Sequence, residues 1–232
     1  MKNKAPSDNA ADYCIPLIHA FKKAANPTEA RGMKAYMLNQ FDFLGIKAPI
    51  RDSIVFPFIK NNPILSTEQL VEVVEYLWNL PYREYQYAAI DVFAKNHSIW
   101  NEKSHQLIES CTIHRSWWDT VDGIASDWLS IYFKKYPTQI ISVTSKWNRS
   151  KNIWLQRNSI LFQKKCKADM NTQLLSQYIL HVKDSKEFFI QKAIGWALRE
   201  YSKTNPQWVK AFVSSNELAP LSKREALKII NK

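Results

Sequence analysis

The chain has 232 residues, 46% of them hydrophobic, and a formal net charge of +11. That composition can bury a core, while its four glycines argue against glycine-rich phosphate loops and against a turn-dense all-β fold. Three cysteines far apart, Cys14, Cys111 and Cys166, argue against a disulfide framework and for a reducing compartment. With no apolar run long enough to span a membrane, and no apolar stretch in the opening MKNKAPSDNAADYC that would make a secretory leader, a cytoplasmic protein is expected.

Taken in chain order, the sequence reads helix after helix. Asn26-Pro27-Thr28-Glu29 combines an N-cap, a proline at the first helical position and a capping-box acid. Ser66-Thr67-Glu68-Gln69, Asp184-Ser185-Lys186-Glu187 and Ser222-Lys223-Arg224-Glu225 carry the same start signal, and Pro81, Pro137 and Pro206 stand at further helix starts. Leu70, Val73, Val74 and Leu77 keep the helical period, and no run alternates as a strand. Starts are predicted near residues 10, 27, 49, 66, 82, 102, 116, 137, 152, 172, 185, 206 and 222. Helix pairs therefore recur about every 35–40 residues, the size of a HEAT-type repeat. The expected fold is all-α: one domain over residues 1–232, a curved solenoid of HEAT-like repeats with a concave basic face. A compact helical bundle is the alternative.

The charge is lopsided. Residues 1–116 hold 13 basic and 12 acidic side chains, whereas residues 117–232 hold 19 and 9. A basic half points to a polyanion such as nucleic acid, or else to a generally basic surface. Within that half, HRSWWDTVDGIA at 114–125 is read as the start of a helix over 116–134. On a wheel Trp117 aligns with Val121, Ile124, Trp128 and Ile131 as an apolar stripe. Trp118 instead shares a face with Arg115, Asp122 and Ala125. Either it fills a gap between repeats beside solvated acids, or ring and acid form a site.

Two more residues stand out. Trp196 lies on a helical face with Lys192, Arg199, Glu200 and Lys203, away from the apolar side of Ile190, Ile194, Ala197 and Tyr201. A ring among cations can lie on a sugar or base while the cations hold phosphates; equally, lysine stems can cover it. Arg157 has the apolar neighbours Ile153, Trp154, Ile160 and Leu161. If buried it needs an acid or a phosphate, and Asp122 is an available acid. No metal site is expected: the five histidines do not cluster with cysteines, and Cys111 with His114 lacks further ligands. No Walker, Rossmann or G-x-S-x-G pattern occurs.

SWWDTVD at 116–122, NIWLQR at 152–157, KEFFIQKAIGWALREYSKTNP at 186–206 and NELAPLSKREA at 216–226 resemble the AlkD-type DNA alkylation repair glycosylases, as do FDFLGIKAPIR at 41–51 and LWNLPYREYQYAA at 77–89. The resemblance spans nearly the whole chain. It implies a single domain of HEAT-like repeats wrapping DNA, and removal of cationic 3-methyladenine and 7-methylguanine from duplex DNA without metal or cofactor. It implies a catalytic set of Trp118, Asp122, Arg157 and Trp196, with Tyr36, in MKAYM, also lining the cleft. The rings would contact the sugar-phosphate backbone of the lesion instead of enclosing a flipped base. The expected DNA interface comprises Tyr36, Lys47, Arg51, Arg149, Lys151, Lys192, Arg199 and Lys203. The loop carrying Arg149 and Lys151 is a departure, being more basic than the family pattern.

The chemistry implied needs few groups. A ring-alkylated purine is cationic and leaves neutral, so no general acid is required, unlike ordinary glycoside hydrolysis. One carboxylate, Asp122, can stabilise the cationic sugar and orient water, and the rings of Trp118 and Trp196 favour the same cation. Arg157 either fixes Asp122 or holds a phosphate. The expected partner is duplex DNA containing alkylated purines, and the expected state is a monomer. The rival readings are a non-catalytic HEAT-repeat DNA-binding or scaffold protein, and an RNA-binding repeat protein.

Overall fold

The computed structural model describes residues 9–230; most of the stretch read for a leader, residues 1–8, falls outside them. The regular secondary structure of the described residues is helical, with one isolated bridge between Asp42 and Tyr82. The chain forms two compact units that divide between Leu107 and Ile108.

The first unit holds α1 (Ala10–Lys23), α2 (Pro27–Tyr36), α3 (Ala48–Asn61), α4 (Thr67–Asn79) and α5 (Arg83–Lys95). Helix α1 packs on α3 and α4, and α5 packs on α3 and α4. The predicted caps are present: Asn26 Oδ1 accepts the Thr28 and Glu29 N–H groups, and Ser66 Oγ accepts that of Gln69. Leu70, Val73, Val74 and Leu77 are fully buried, as their period requires. The loop leading to α3 is fastened from beneath. Glu84, fully buried, accepts N–H bonds from Leu44 (3.0 Å), Gly45 (2.8 Å) and Ile46 (3.1 Å). Three bonds to a charged acceptor offset the cost of taking that carboxylate out of water. Gly45 is required in this loop: its φ is +85°, and a Cβ there would lie 2.0 Å from the Asn26 carbonyl oxygen.

Helix α6 (Ser104–Ile113) spans the division between the units. The second unit continues with α7 (Trp118–Gly123), a π-helical segment (Ile124–Leu129), α8 (Ser130–Lys135), α9 (Gln139–Asn148), α10 (Ile153–Leu161), α11 (Thr172–Val182), α12 (Phe188–Ser202), α13 (Pro206–Ser215) and α14 (Pro220–Leu227). Helices one to three places apart in the chain pack together: α9 with α10 and α11, α10 with α7 and α12, α12 with α13 and α14. This is the stacking of a helical-repeat fold, and every predicted start lies within one turn of an observed one.

Two start signals serve other ends. Helix α12 begins at Phe188, after the Asp184–Glu187 signal, with Glu187 as its N-cap residue. Helix α14 begins at Pro220, which is preset for the first helical position. Ser222 therefore lies inside the helix, and its Oγ donates to the Gln191 carbonyl across the α12 interface (2.9 Å).

That interface depends on Gly195. A Cβ at this position would approach Glu225 Cβ to 2.5 Å and the Ser222 carbonyl to 2.9 Å. A mid-helix glycine is intrinsically weaker than alanine, so close approach is its justification. Gly195→Ala is expected to cost about 1–3 kcal/mol through overpacking, read as a lower urea midpoint; an unchanged or higher midpoint would contradict the tight seat.

Candidate active site

The sequence places a non-glycine residue in left-handed conformation just ahead of the tryptophan pair: Arg115 has φ 51°. It turns the chain out of α6 and into an extended Trp117 (φ −156°, ψ 164°), the N-cap residue of α7. Trp117 therefore lies outside the helix and is only half-buried. Val121, Ile124 and Trp128 are fully buried as expected, but Trp117 packs elsewhere. Its ring meets Trp154 (centroids 5.8 Å apart) and Phe189 (5.2 Å), and Trp154 meets Phe189 in turn (4.9 Å). This aromatic trio fastens α7, α10 and α12 together.

Trp118 begins α7, half-exposed, and Asp122 follows one turn later. Arg157, on α10, reaches Asp122 with both faces of its fork: Nε donates to Oδ1 at 2.7 Å and Nη2 to Oδ2 at 2.9 Å. The remaining Nη1 donates to the Phe189 carbonyl at 2.6 Å. The acid available to Arg157 is thus the one it takes. Three of its five N–H donors go to the carboxylate and to α12. Each carboxylate oxygen still has a lone pair beyond the one Arg157 engages, and the Asp122 side chain keeps 15% of its surface exposed.

Trp196 is half-buried, and the opposite side of α12, Ile190, Ile194, Ala197 and Tyr201, is buried, as the wheel requires. Trp118, Asp122, Arg157, Phe188, Phe189, Lys192, Trp196 and Arg199 line one cleft of about 330 Å³. All four residues expected to be catalytic come together there.

The cations beside Trp196 are held by acids. Glu225, from α14, accepts from Lys192 Nζ (3.0 Å) and Arg199 Nη1 (2.7 Å). The hydrogen bond from Lys192 and the charges of Lys192, Arg199 and Lys228 hold the Glu225 carboxyl below its ordinary value, outweighing burial. Lys203 pairs with Glu200 at 2.6 Å. Two cations share one carboxylate, so Lys192 and Arg199 leave a net positive charge in the cleft that Trp196 lines. Behind Trp196 a further cation appears: Lys164 Nζ lies 3.6 Å from the ring centroid and donates to Ser126 Oγ at 2.8 Å.

The other expected interface residues are not among those that line this cleft. Arg149, at the end of α9, and Lys151 are exposed. In the first unit, Tyr36 is 70% exposed at the end of α2. Lys47 pairs with Glu29 at 2.6 Å. Arg51 pairs with Asp52 at 3.2 Å, approaches Asp91 at 4.0 Å and lies over the Tyr87 ring.

Sequence reasoning missed Phe188, Phe189, Lys164 and Glu225. Phe189 and Trp196 are seven residues apart, so extending the Trp196 face backwards along the helix reaches it. Lys164 and Glu225 come from other helices and leave no periodic trace. Among the described residues no three His, Cys, Asp or Glu side chains gather as a metal site, and no helix is long and apolar enough to cross a membrane. Cys14, Cys111 and Cys166 are free thiols.

The family model for "DNA alkylation repair enzyme" matches residues 17–230. The chain belongs to that family. A solved structure described as a predicted DNA alkylation repair enzyme from Enterococcus faecalis is similar to it at 34% identity, covering 90% of this chain and 97% of that one, with a TM-score of 0.85. No curated protein matches the chain. Family membership makes DNA repair the setting in which the cleft is to be understood.

Proposed function

We propose that the protein is a monofunctional DNA glycosylase. It hydrolyses the N-glycosidic bond of cationic alkylated purines, 3-methyladenine and 7-methylguanine, in duplex DNA. The observation that carries this reading is the carboxylate of Asp122, oriented by two Arg157 hydrogen bonds and bordered by the rings of Trp118 and Trp196.

The lesion base is already positive and departs neutral, so the enzyme has no proton to deliver. The barrier lies in the sugar, which gains positive charge as the bond stretches. Asp122 opposes that charge and orients the water that adds to the anomeric carbon. The faces of Trp118 and Trp196 favour the same cation, while Lys192 and Arg199 hold the flanking phosphates. Arg157 keeps the carboxylate aimed. Trp118, Trp196 and Tyr36 meet the sugar-phosphate backbone, so no pocket closes around the base. No metal or cofactor enters these steps.

In this reading the whole chain works as one HEAT-like domain, a cytoplasmic, nucleoid-associated monomer whose concave basic face follows the duplex. Lys47, Arg51, Arg149, Lys151 and Lys203 complete the phosphate contacts.

The test is release of methylated bases from alkylated duplex DNA, run beside duplexes containing uracil or hypoxanthine. The cationic bases are expected to be released and the neutral ones left in place, because nothing protonates a neutral leaving group. Robust excision of either neutral base would overturn this mechanism. Failure to release any base while DNA binding persists would favour a non-catalytic binding role.

A further inference from the structure

Beside the cleft lies a larger groove of about 640 Å³, bordered by Lys164, Lys165, Lys167 and Lys203 together with Glu200 and Thr204. Two of the lysines are neutralised: Lys165 pairs with Asp127 at 2.9 Å and Lys203 with Glu200 at 2.6 Å. Lys164 and Lys167 leave the groove positive.

The segment that carries three of these lysines is built to hold its shape. The side chain of Gln163 ties it at the far end: Oε1 accepts the Asn171 N–H at 2.8 Å, and Nε2 donates to the Asn171 carbonyl at 3.3 Å. Between these ties Lys167 adopts φ 49°, a left-handed conformation uncommon for a long side chain and worth explaining where it occurs. It opens the one-turn 3-10 helix Lys167–Asp169 and is exposed.

Lys164 joins the groove to the cleft. It borders the groove, while its ammonium rests on the ring of Trp196, which lines the cleft. Burial holds that ammonium below the ordinary lysine value. Asp122 pulls it back up and Lys165 pushes it down further, with lesser opposed effects from Glu200 and Arg157. A cation held chiefly against the cost of burial is relieved when an anion arrives beside it.

We propose that this groove is a phosphate subsite, separated from the cleft by Trp196, that holds a backbone phosphate of the DNA strand running past the cleft. The proposal rests on the DNA-repair reading above and deepens it. Lys167 supplies the contact charge, Lys165 and Lys203 flank it, and Lys164 sets the distance between the held phosphate and Trp196.

The test uses the full-length protein and two probes. The first is a short unmodified duplex, titrated over a range of salt concentrations by fluorescence anisotropy. The second is inorganic phosphate alone, followed by calorimetry. Wild type is compared with Lys165→Gln/Lys167→Gln and with the charge-matched control Lys186→Gln/Lys210→Gln, whose residues are exposed elsewhere on the unit. Far-UV circular dichroism verifies that each variant is folded. The groove variant is expected to bind the duplex severalfold more weakly, with a log–log salt slope lower by about one unit per lost phosphate contact, while the control keeps the wild-type slope. Equal slopes for groove variant and control would overturn the proposal. Saturable binding of inorganic phosphate that is lost in the groove variant, with an unchanged DNA slope, would also overturn the backbone assignment and make the groove a free-anion site. Neither probe involves base release, so failure of the glycosylase reading would be seen separately, as duplex binding without excision.

Discussion

Asp122→Asn is expected to lower base release from alkylated duplex DNA by about 10²–10³, the usual loss when a preorganised group facing transition-state charge is removed. Asparagine keeps the size of the side chain and removes its charge. It also places an amide NH₂ where one carboxylate oxygen accepts from Arg157, so part of the fork goes unanswered. Rate and stability must therefore be measured together. Single-turnover release with enzyme in excess isolates the chemical step, anisotropy with alkylated duplex reports binding, and a thermal melt reports folding. The expected pattern is a large drop in rate, near wild-type affinity and a modest fall in melting temperature. A variant that releases bases at the wild-type rate would remove Asp122 from the chemistry.

Arg157→Met should produce the largest loss of stability. Arg157 is 4% exposed and its three donor bonds join α10 to α7 and α12. Methionine fits the apolar surroundings and leaves Asp122 as a mostly buried charge without its partner. Removing one member of such a pair costs about 3–5 kcal/mol, which for a chain of this size lowers the melting temperature by on the order of 10 °C. The double variant Asp122→Leu/Arg157→Met removes both charges and should recover much of that loss, because a buried ion pair and a well-packed apolar pair are often close in free energy. Activity should stay absent in the double variant. Recovery of stability without recovery of base release would separate the folding role of the pair from its chemical role. A melting temperature for Arg157→Met within about 2 °C of wild type would contradict a buried, mutually dependent pair.

The sequence was most legible where physics is local. Asn26 and Ser66 cap the helices they announce, and the proline-led starts fall where proline is tolerated. The face of Trp196 could be drawn correctly because α12 runs without interruption from Phe188 to Ser202. The helix after the tryptophan pair could not, because it contains a π segment. One extra residue per turn moves every later position around the axis. The stripe drawn through Trp117, Val121, Ile124, Trp128 and Ile131 holds in its middle; it fails at Ile131 through that shift, and at Trp117 because the helix has not yet begun there. Trp117 lies in the extended cap, and Ile131 is half-exposed while Tyr132 is fully buried. Of the site itself, Trp118, Asp122, Arg157 and Trp196 were legible, the first and last from their helical faces and the pairing of the other two as one of two open options. Glu225 was not. Its Ser-x-x-Glu spacing reads as a helix start, whereas the serine bonds across to α12 and the glutamate grips Lys192 and Arg199. A spacing rule sees only its own helix, and both partners come from another.

The rings of Trp117 and Trp154 lie with centroids 5.8 Å apart and planes tilted by 57°. Two indoles so close and so inclined do not absorb light independently. Their transitions are expected to mix, and ultraviolet circular dichroism would read the pair as a split band that neither ring has alone. Because one indole precedes the helix of Asp122 and the other lies on the helix of Arg157, the protein carries a built-in optical gauge across its salt bridge. It needs no label and no substrate, and it responds to whatever draws those two helices apart.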